Sequence, residues 1–215
     1  MMLAFIGGTG VEGMGLAMRF AAVGEGILIG SRSIEKAEEA TKALRAKIPR
    51  ANVRGVENKE AAECGDLVFL TVPYKAQMHI LESLKSALDS KILIHVVVPP
   101  IFEEGPTETE KIHLQRSAAE EAQKLVPNVK VVSALKDISA ISLLESKSLD
   151  CDVITCSDHE DAKREVMRLV EKLDGVRALD GGPLRNSRSL EAITPLLLFL
   201  NKKYGVRTCL KIKGI

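Results

Sequence analysis

Met2-Leu3-Ala4-Phe5-Ile6-Gly7-Gly8-Thr9-Gly10-Val11-Glu12-Gly13-Met14-Gly15 opens the chain, and its reading decides the fold. The apolar run Met2 to Ile6 has the pattern of a buried strand. A G-x-G-x-x-G set follows at Gly8, Gly10 and Gly13, and Leu16, Ala17, Phe20 and Ala21 then recur at helical spacing. Alone the motif is weak, but between a strand and a helix it becomes a dinucleotide-binding turn. Gly8 permits the tight turn, Gly10 lets a pyrophosphate approach the backbone, and Gly13 lets helix and strand pack closely. Free amides at the helix start then face the anion.

The next strand, Ile27-Leu28-Ile29-Gly30, ends in Ser31-Arg32-Ser33, with Lys36 one helical turn on. A site selective for NAD places a carboxylate here to bind the ribose 2′-hydroxyl. This chain places a hydroxyl and two cations instead. Arg32 can bind a 2′-phosphate through its planar fork, and a carboxylate would repel that group. The helix dipole does not favour positive charge at a helix N-terminus, so these residues call for an anion. Ser33 also has the character of an N-cap. The expected cofactor is NADP.

The 215 residues are enough for a real core in one large or two small units. Net charge is +1, which suggests neither nucleic acid nor a membrane surface as partner. Aromatics are 3% with no Trp, which argues against base-stacking platforms. No apolar run is long enough to span a bilayer, and the N-terminus reads as a core strand rather than a signal peptide. A cytoplasmic protein is expected. Cys64, Cys151, Cys156 and Cys209 form no C-x-x-C pair, and Cys151 and Cys156 read as small core residues. No metal site is expected.

Strand and helix patterns alternate along the chain, which predicts an α/β fold: a Rossmann-type, doubly wound, mainly parallel sheet. Further strands are expected at 53–56, 66–73, 92–98 and 129–135, with Asn58 capping a short helix through Glu63. Residues 101–114 read as a loop or a lid. Residues 1–150 would form the NADP-binding unit. Residues 151–215 would form a small α+β unit closing the cleft, with a strand at 153–155, a helix at 158–173, a short strand at 176–179, a long helix from Ser187 to Tyr204 and a final strand at 208–212. Leu196, Leu197, Leu198 and Phe199 are apolar beyond one helix face and would pack on the first unit or on a second subunit of a homodimer.

Two absences bear on the chemistry. Tyr74-Lys75 has the wrong spacing for a Tyr-x-x-x-Lys proton donor, and Tyr204 has no Lys four residues on. No His–carboxylate pair is evident; His95 reads as a core histidine, while His79, His113 and His159 read as exposed. Reduction of a ketone needs a positioned acid. An acceptor that takes hydride on its own conjugated ring needs mainly stacking and orientation. Transfer between two cofactors, with no catalytic side chain, is therefore expected.

Gly7-Gly8-Thr9-Gly10, Ser31-Arg32 with Lys36, Thr71-Val72-Pro73 and Val131-Val132-Ser133-Ala134-Leu135 resemble the NADP-dependent coenzyme F420 reductase family. So do Gly182-Pro183-Leu184-Arg185-Asn186-Ser187-Arg188, Thr194-Pro195-Leu196 and Asn201-Lys202-Lys203-Tyr204, so the similarity covers nearly the whole chain. The resemblance implies hydride transfer between NADP(H) and the deazaflavin F420. It implies that Thr9, Gly10, Val11 and Glu12 bind the pyrophosphate and that Ser31, Arg32 and Lys36 bind the 2′-phosphate. Pro73, Tyr74 and Val98 would line the nicotinamide side, Ala140 would contact the carboxamide through its backbone, and Leu210 would line the F420 pocket. Lys136-Asp137 replaces the His-Thr of one branch, and Ser139 replaces a Pro there. An NADPH-dependent flavin or ferric reductase and a non-catalytic NADP sensor are the alternative readings.

Overall fold

The computed structural model describes residues 1–99, 116–146 and 148–215; the stretch 101–114 and His113 lie outside the described residues. Six parallel strands form one sheet: β1 (Met2–Ile6), β2 (Gly26–Ser31), β3 (Val53–Glu57), β4 (Leu67–Leu70), β5 (Ile92–His95) and β6 (Lys130–Ser133). Their order is β3-β2-β1-β4-β5-β6, so the chain winds outward from β1 in both directions. This is the doubly wound Rossmann order, and its ligand crevice lies where the winding reverses, beyond the carboxyl ends of β1 and β4.

Helices α1 (Val11–Ala22), α2 (Ile34–Lys47), α3 (Asn58–Cys64), α4 (Tyr74–Leu84), α5 (Ala118–Leu125) and α6 (Ala140–Glu145) accompany the sheet. The strands are nearly all apolar because both faces are covered. One face packs Leu3, Phe5, Leu16 and Phe20, with the Phe5 and Phe69 rings stacked at 4.5 Å between centroids. The opposite face packs Ala4, Ile6, Leu81 and Leu93.

Beyond α6 lie β7 (Cys151–Thr155), α7 (Glu160–Val170), β8 (Val176–Asp180) and α8 (Ser187–Tyr204). β7 and β8 pair in parallel as a second, two-stranded sheet. Ser133 and Cys156 form a single antiparallel bridge between the two sheets. Cys151, Val153 and Val166 join the same hydrophobic cluster as Leu3 and Phe5, so one core runs through both parts. Cys151, within that cluster, and Cys156 are both fully buried.

Several local expectations change. Thr71 to Pro73 and Val96 to Val98 leave the ladder before the expected strand ends. Asn58 begins α3 but does not cap it; Glu57 occupies the cap position, and the buried Asn58 amide oxygen accepts from the Gly7 N–H at 3.1 Å. Residues 208–212 form no strand. Asp152 lies opposite them: its N–H donates to the Leu210 carbonyl at 2.9 Å, and its carboxylate accepts from the Ile212 N–H at 2.6 Å. A side-chain acceptor takes the place of a ladder partner, which ends regular pairing. His159 is half-buried against Gln123, not exposed.

Candidate active site

The glycine loop turns tightly at Gly7, whose φ of 76° lies in the left-handed region. A Cβ there would stand 2.7 Å from Val72 Cγ1, so only glycine fits. A Cβ on Gly13 would meet Gly8 Cα at 2.8 Å, which is the close packing of α1 on β1. Gly10 borders open space, where a Cβ would meet only Gly7 O, at 3.6 Å. No side chain caps α1. The turn thus leaves room at Gly10 for a pyrophosphate, beside amides without a side-chain cap.

That turn forms one wall of a cavity of about 1020 Å³. Thr9, Gly10, Val11, Glu12, Ser31, Arg32, Lys36, Pro73, Tyr74, Val98 and Ala140 all line it. The structure therefore brings together eleven of the twelve expected site residues. Leu210 stands apart from the lining; its amide donates to Asp137, and its carbonyl is taken by Asp152.

At one end, Ser31 ends β2, and its buried hydroxyl accepts from the Ser33 N–H at 3.2 Å. Ser33 Oγ in turn accepts from the Lys36 N–H at 3.3 Å, capping α2 as its sequence suggests. Arg32 and Lys36 are exposed at this end. At the other end, Pro73, Val96, Val97, Val98 and Ile138 form an apolar wall. Arg19 of α1 donates to Leu143 O at 2.7 Å and Ser142 O at 2.9 Å, which fastens α6 on α1 with Ala140 at the cavity.

A buried polar chain supports the apolar end. Lys136 follows β6, and its side chain is fully buried. Its ammonium meets Glu191 at 3.0 Å and His95 Nδ1 at 2.9 Å, and also donates to Val97 O. With an ammonium donating to Nδ1, His95 carries its proton on Nε2 and gives it to Gln77 Oε1 at 2.8 Å. Burial, and then Lys136, hold His95 well below its ordinary pKa, so the ring is neutral. Burial also lowers Lys136, opposed by Glu191. Glu191 Oε2 accepts from the Ala118 N–H at 2.7 Å, which satisfies the start of α5. The Tyr74 hydroxyl donates to Glu121 at 2.8 Å; burial and that bond raise its pKa, so it stays neutral.

Sequence reasoning gave no site role to Glu191, Asn58, Thr194 or Leu198, and singled out Lys136 only as a departure from the family pattern. Thr194 and Leu198 project from α8 onto the cavity. The Gly182-to-Arg188 block does not line it. It fastens α8 instead: Ser187 Oγ lies 2.7 Å from Ser117 Oγ, and Arg188 Nε donates to Glu120 at 2.7 Å. The available signal was that block, whose last two residues open the helix bearing Thr194 and Leu198.

Known proteins resemble this arrangement in sequence and in shape. Residues 2–99 match the family model described as NADP oxidoreductase, coenzyme F420-dependent. The F420-dependent NADP reductase of Methanothermobacter thermautotrophicus is 44% identical over 96% of this chain and 92% of its own length. The chain belongs to the F420-dependent NADP oxidoreductase family. Another member, the F420-dependent NADP reductase of Methanocaldococcus jannaschii, is 41% identical over 95% of this chain and 94% of its own length. A crystal structure from Arthrobacter sp. FB24, described as a candidate F420-dependent NADP reductase, superposes with a TM-score of 0.84. It covers 99% of both chains at 23% identity, a likeness of fold.

Proposed function

We propose that this chain transfers a hydride directly between the nicotinamide of NADP(H) and the deazaflavin ring of F420. The observation that carries the reading is one continuous cavity, about 1020 Å³, running from Ser31, Arg32 and Lys36 past the glycine loop to the apolar wall. It joins a site for a phosphorylated dinucleotide to a site for a flat ring, in a chain 41–44% identical to F420-dependent NADP reductases.

In this reading the α1 amides and the backbone of Thr9 to Glu12 hold the pyrophosphate. Ser31, Arg32 and Lys36 hold the 2′-phosphate. Pro73, Tyr74 and Val98 lie against the nicotinamide, and Ala140 offers a backbone contact to its carboxamide. The F420 wall falls to Ile138, Thr194 and Leu198, which line the cavity, while the Leu210 amide donates to the neighbouring Asp137. The two co-substrates carry the redox chemistry, and stacking sets their distance. The protein orients the rings and keeps the wall dry.

Residues 1–150 supply the dinucleotide site, and 151–215 close it through α8. A cytoplasmic location goes with this reading, and no helix among the described residues is long and apolar enough to cross a membrane. Nucleic acid has no role in this reading. Leu196 and Phe199 are 52% and 59% exposed on α8, which supports a homodimer joined through that helix. Anaerobic mixing of the protein with NADPH and either oxidised F420 or FMN tests the activity. Loss of F420 absorbance over many turnovers is expected. Reduction of FMN with F420 left unchanged would overturn it.

A further inference from the structure

Two cysteines far apart in sequence meet where the tail after α8 runs beside β7. Cys151 opens β7 and is fully buried. Cys209 lies in the tail, half-buried against the hydrophobic cluster that holds Cys151. The Cys151 thiol donates to Cys209 Sγ. The Cys209 thiol in turn donates to Asp150 O at 3.8 Å, and the Asp152 N–H donates to Leu210 O at 2.9 Å. The residues on both sides of Cys151 are thus held to Cys209 or to its neighbour. The other cysteines stand elsewhere: Cys64 is exposed at the end of α3, and Cys156 Sγ packs on Gly181, where a Cβ would meet it at 2.5 Å.

Sulfurs in contact need only a small shift to reach a bonded separation of about 2.05 Å. The tail can supply it, because residues 208–212 form no strand and are half-buried or exposed. The same stretch reaches the cavity. The Leu210 amide donates to Asp137, which stands between Lys136 and Ile138, and both of these line the cavity.

We propose that Cys151 and Cys209 are a redox-active dithiol, which a low-molecular-weight disulfide oxidises to an intrachain bond that fastens the tail to β7. Cys209 is the entry point, since it is the one of the pair that solvent reaches. Its thiolate attacks one sulfur of the small disulfide, forming a mixed disulfide and releasing one thiolate. Cys151 sulfur then attacks Cys209 sulfur, forming the intrachain bond and releasing the second thiolate. The protein thiols give up two electrons and two protons, and the small disulfide leaves as two thiols. Burial raises both protein thiols, Cys151 to about 12, so the pair rests reduced. Asp137 and Asp150 raise Cys209 further, and Lys211 opposes them. The site requires nothing of the cofactors, so it stands or falls apart from the hydride-transfer reading.

The test uses the full chain carrying Cys64→Ser, which removes the exposed thiol, incubated with oxidised glutathione at about pH 8.5 to raise the thiolate fraction. Thiols are then counted by alkylation and mass, and links are located by peptide mapping. Two of the three remaining thiols should be lost to a Cys151–Cys209 link, with no glutathione retained, and dithiothreitol should restore both. The link closes a long loop, so Tm should rise by on the order of 5–10 °C. Adding Cys209→Ser should leave Cys151 and Cys156 as free thiols. Glutathione held on Cys209 beside a free Cys151 would overturn the inference. So would a folded protein that loses no thiol, or a link between any other pair.

Discussion

Arg32 directly follows β2, exposed on the cavity, and the proposed function assigns it the selectivity for the phosphorylated cofactor. A charge-assisted bond contributes about 1.5–3 kcal/mol, roughly 10- to 100-fold in affinity. Arg32→Ala should weaken NADPH binding by that factor and leave NADH nearly unchanged, measured by titration of each. Equal losses would place the phosphate contact elsewhere. Glu12, in the first turn of α1, bears on stability. Its carboxyl is raised from 4.5 to about 7 in the fold, so the native state binds the extra proton between those values. The stability it contributes is full below about pH 4.5 and is lost as pH rises through about 7. Without cofactor, Glu12→Gln should be more stable than the wild type by roughly 1–3 kcal/mol at pH 8 and nearly equal at pH 4.5, read from urea midpoints. Arg32 and the glycines were legible in the sequence because their meaning is local: a strand, a turn and a helix within one unit. Asn58 was not. It reads as a cap from its neighbours, yet its partner is Gly7, 51 residues away.

The elements that hold the site meet at the start of α8, where a buried ion pair joins Lys136 to Glu191 and Glu191 also serves the first amides of α5. Removing one partner of such a pair leaves the other charge buried, at a cost of about 3–5 kcal/mol. Glu191→Ala should lower the unfolding free energy by that amount, read from the shift of the urea midpoint at an unchanged denaturant slope. A loss below about 1 kcal/mol would mean that water replaces the carboxylate. Element identity was readable from periodicity: α8 runs from Ser187 to Tyr204 as its pattern predicts. Element ends were not, because they depend on distant groups. Val96 to Val98 continue the apolar run of β5, but Lys136 takes the Val97 carbonyl and the segment becomes cavity wall. The short helix α6 left no periodic signal at all; Arg19, over 120 residues earlier, secures its last turn. Residues 208–212 look like a strand, yet Asp152 makes of them a strap along β7.

At the scale of the whole molecule, most of the exposed large apolar side chains among the described residues lie on α8 and the residues after it. Leu196, Leu198, Phe199 and Tyr204 are 48–63% exposed, and Leu198 also borders the cavity. Pairing of two chains through this helix would cover that surface and shield the apolar end of the site. Sedimentation should show twice the 23.3 kDa chain mass at micromolar concentration, and a single mass for Leu196→Asp combined with Phe199→Asp. A wild type that sediments as one chain at all concentrations would remove the dimer from the functional account.

The winding order of the main sheet also governs how the chain reaches this state. β1 sits in the middle of the sheet, between β2 and β4, although it is made first. Its contact with β4 joins Leu3 to Leu67, so more than sixty residues must emerge before the central pair can form. Among the described residues no neighbouring strands in that sheet form a hairpin, since each pairing is parallel. Nonlocal parallel pairing is slow to form. On a ribosome, Met2 to Ile6 can dock on β2 early but keeps one apolar edge open until β4 arrives, the interval in which a nascent chain is most exposed to aggregation. Slowing translation before Leu67 should therefore lower the soluble yield, while the same pause after His95 should not.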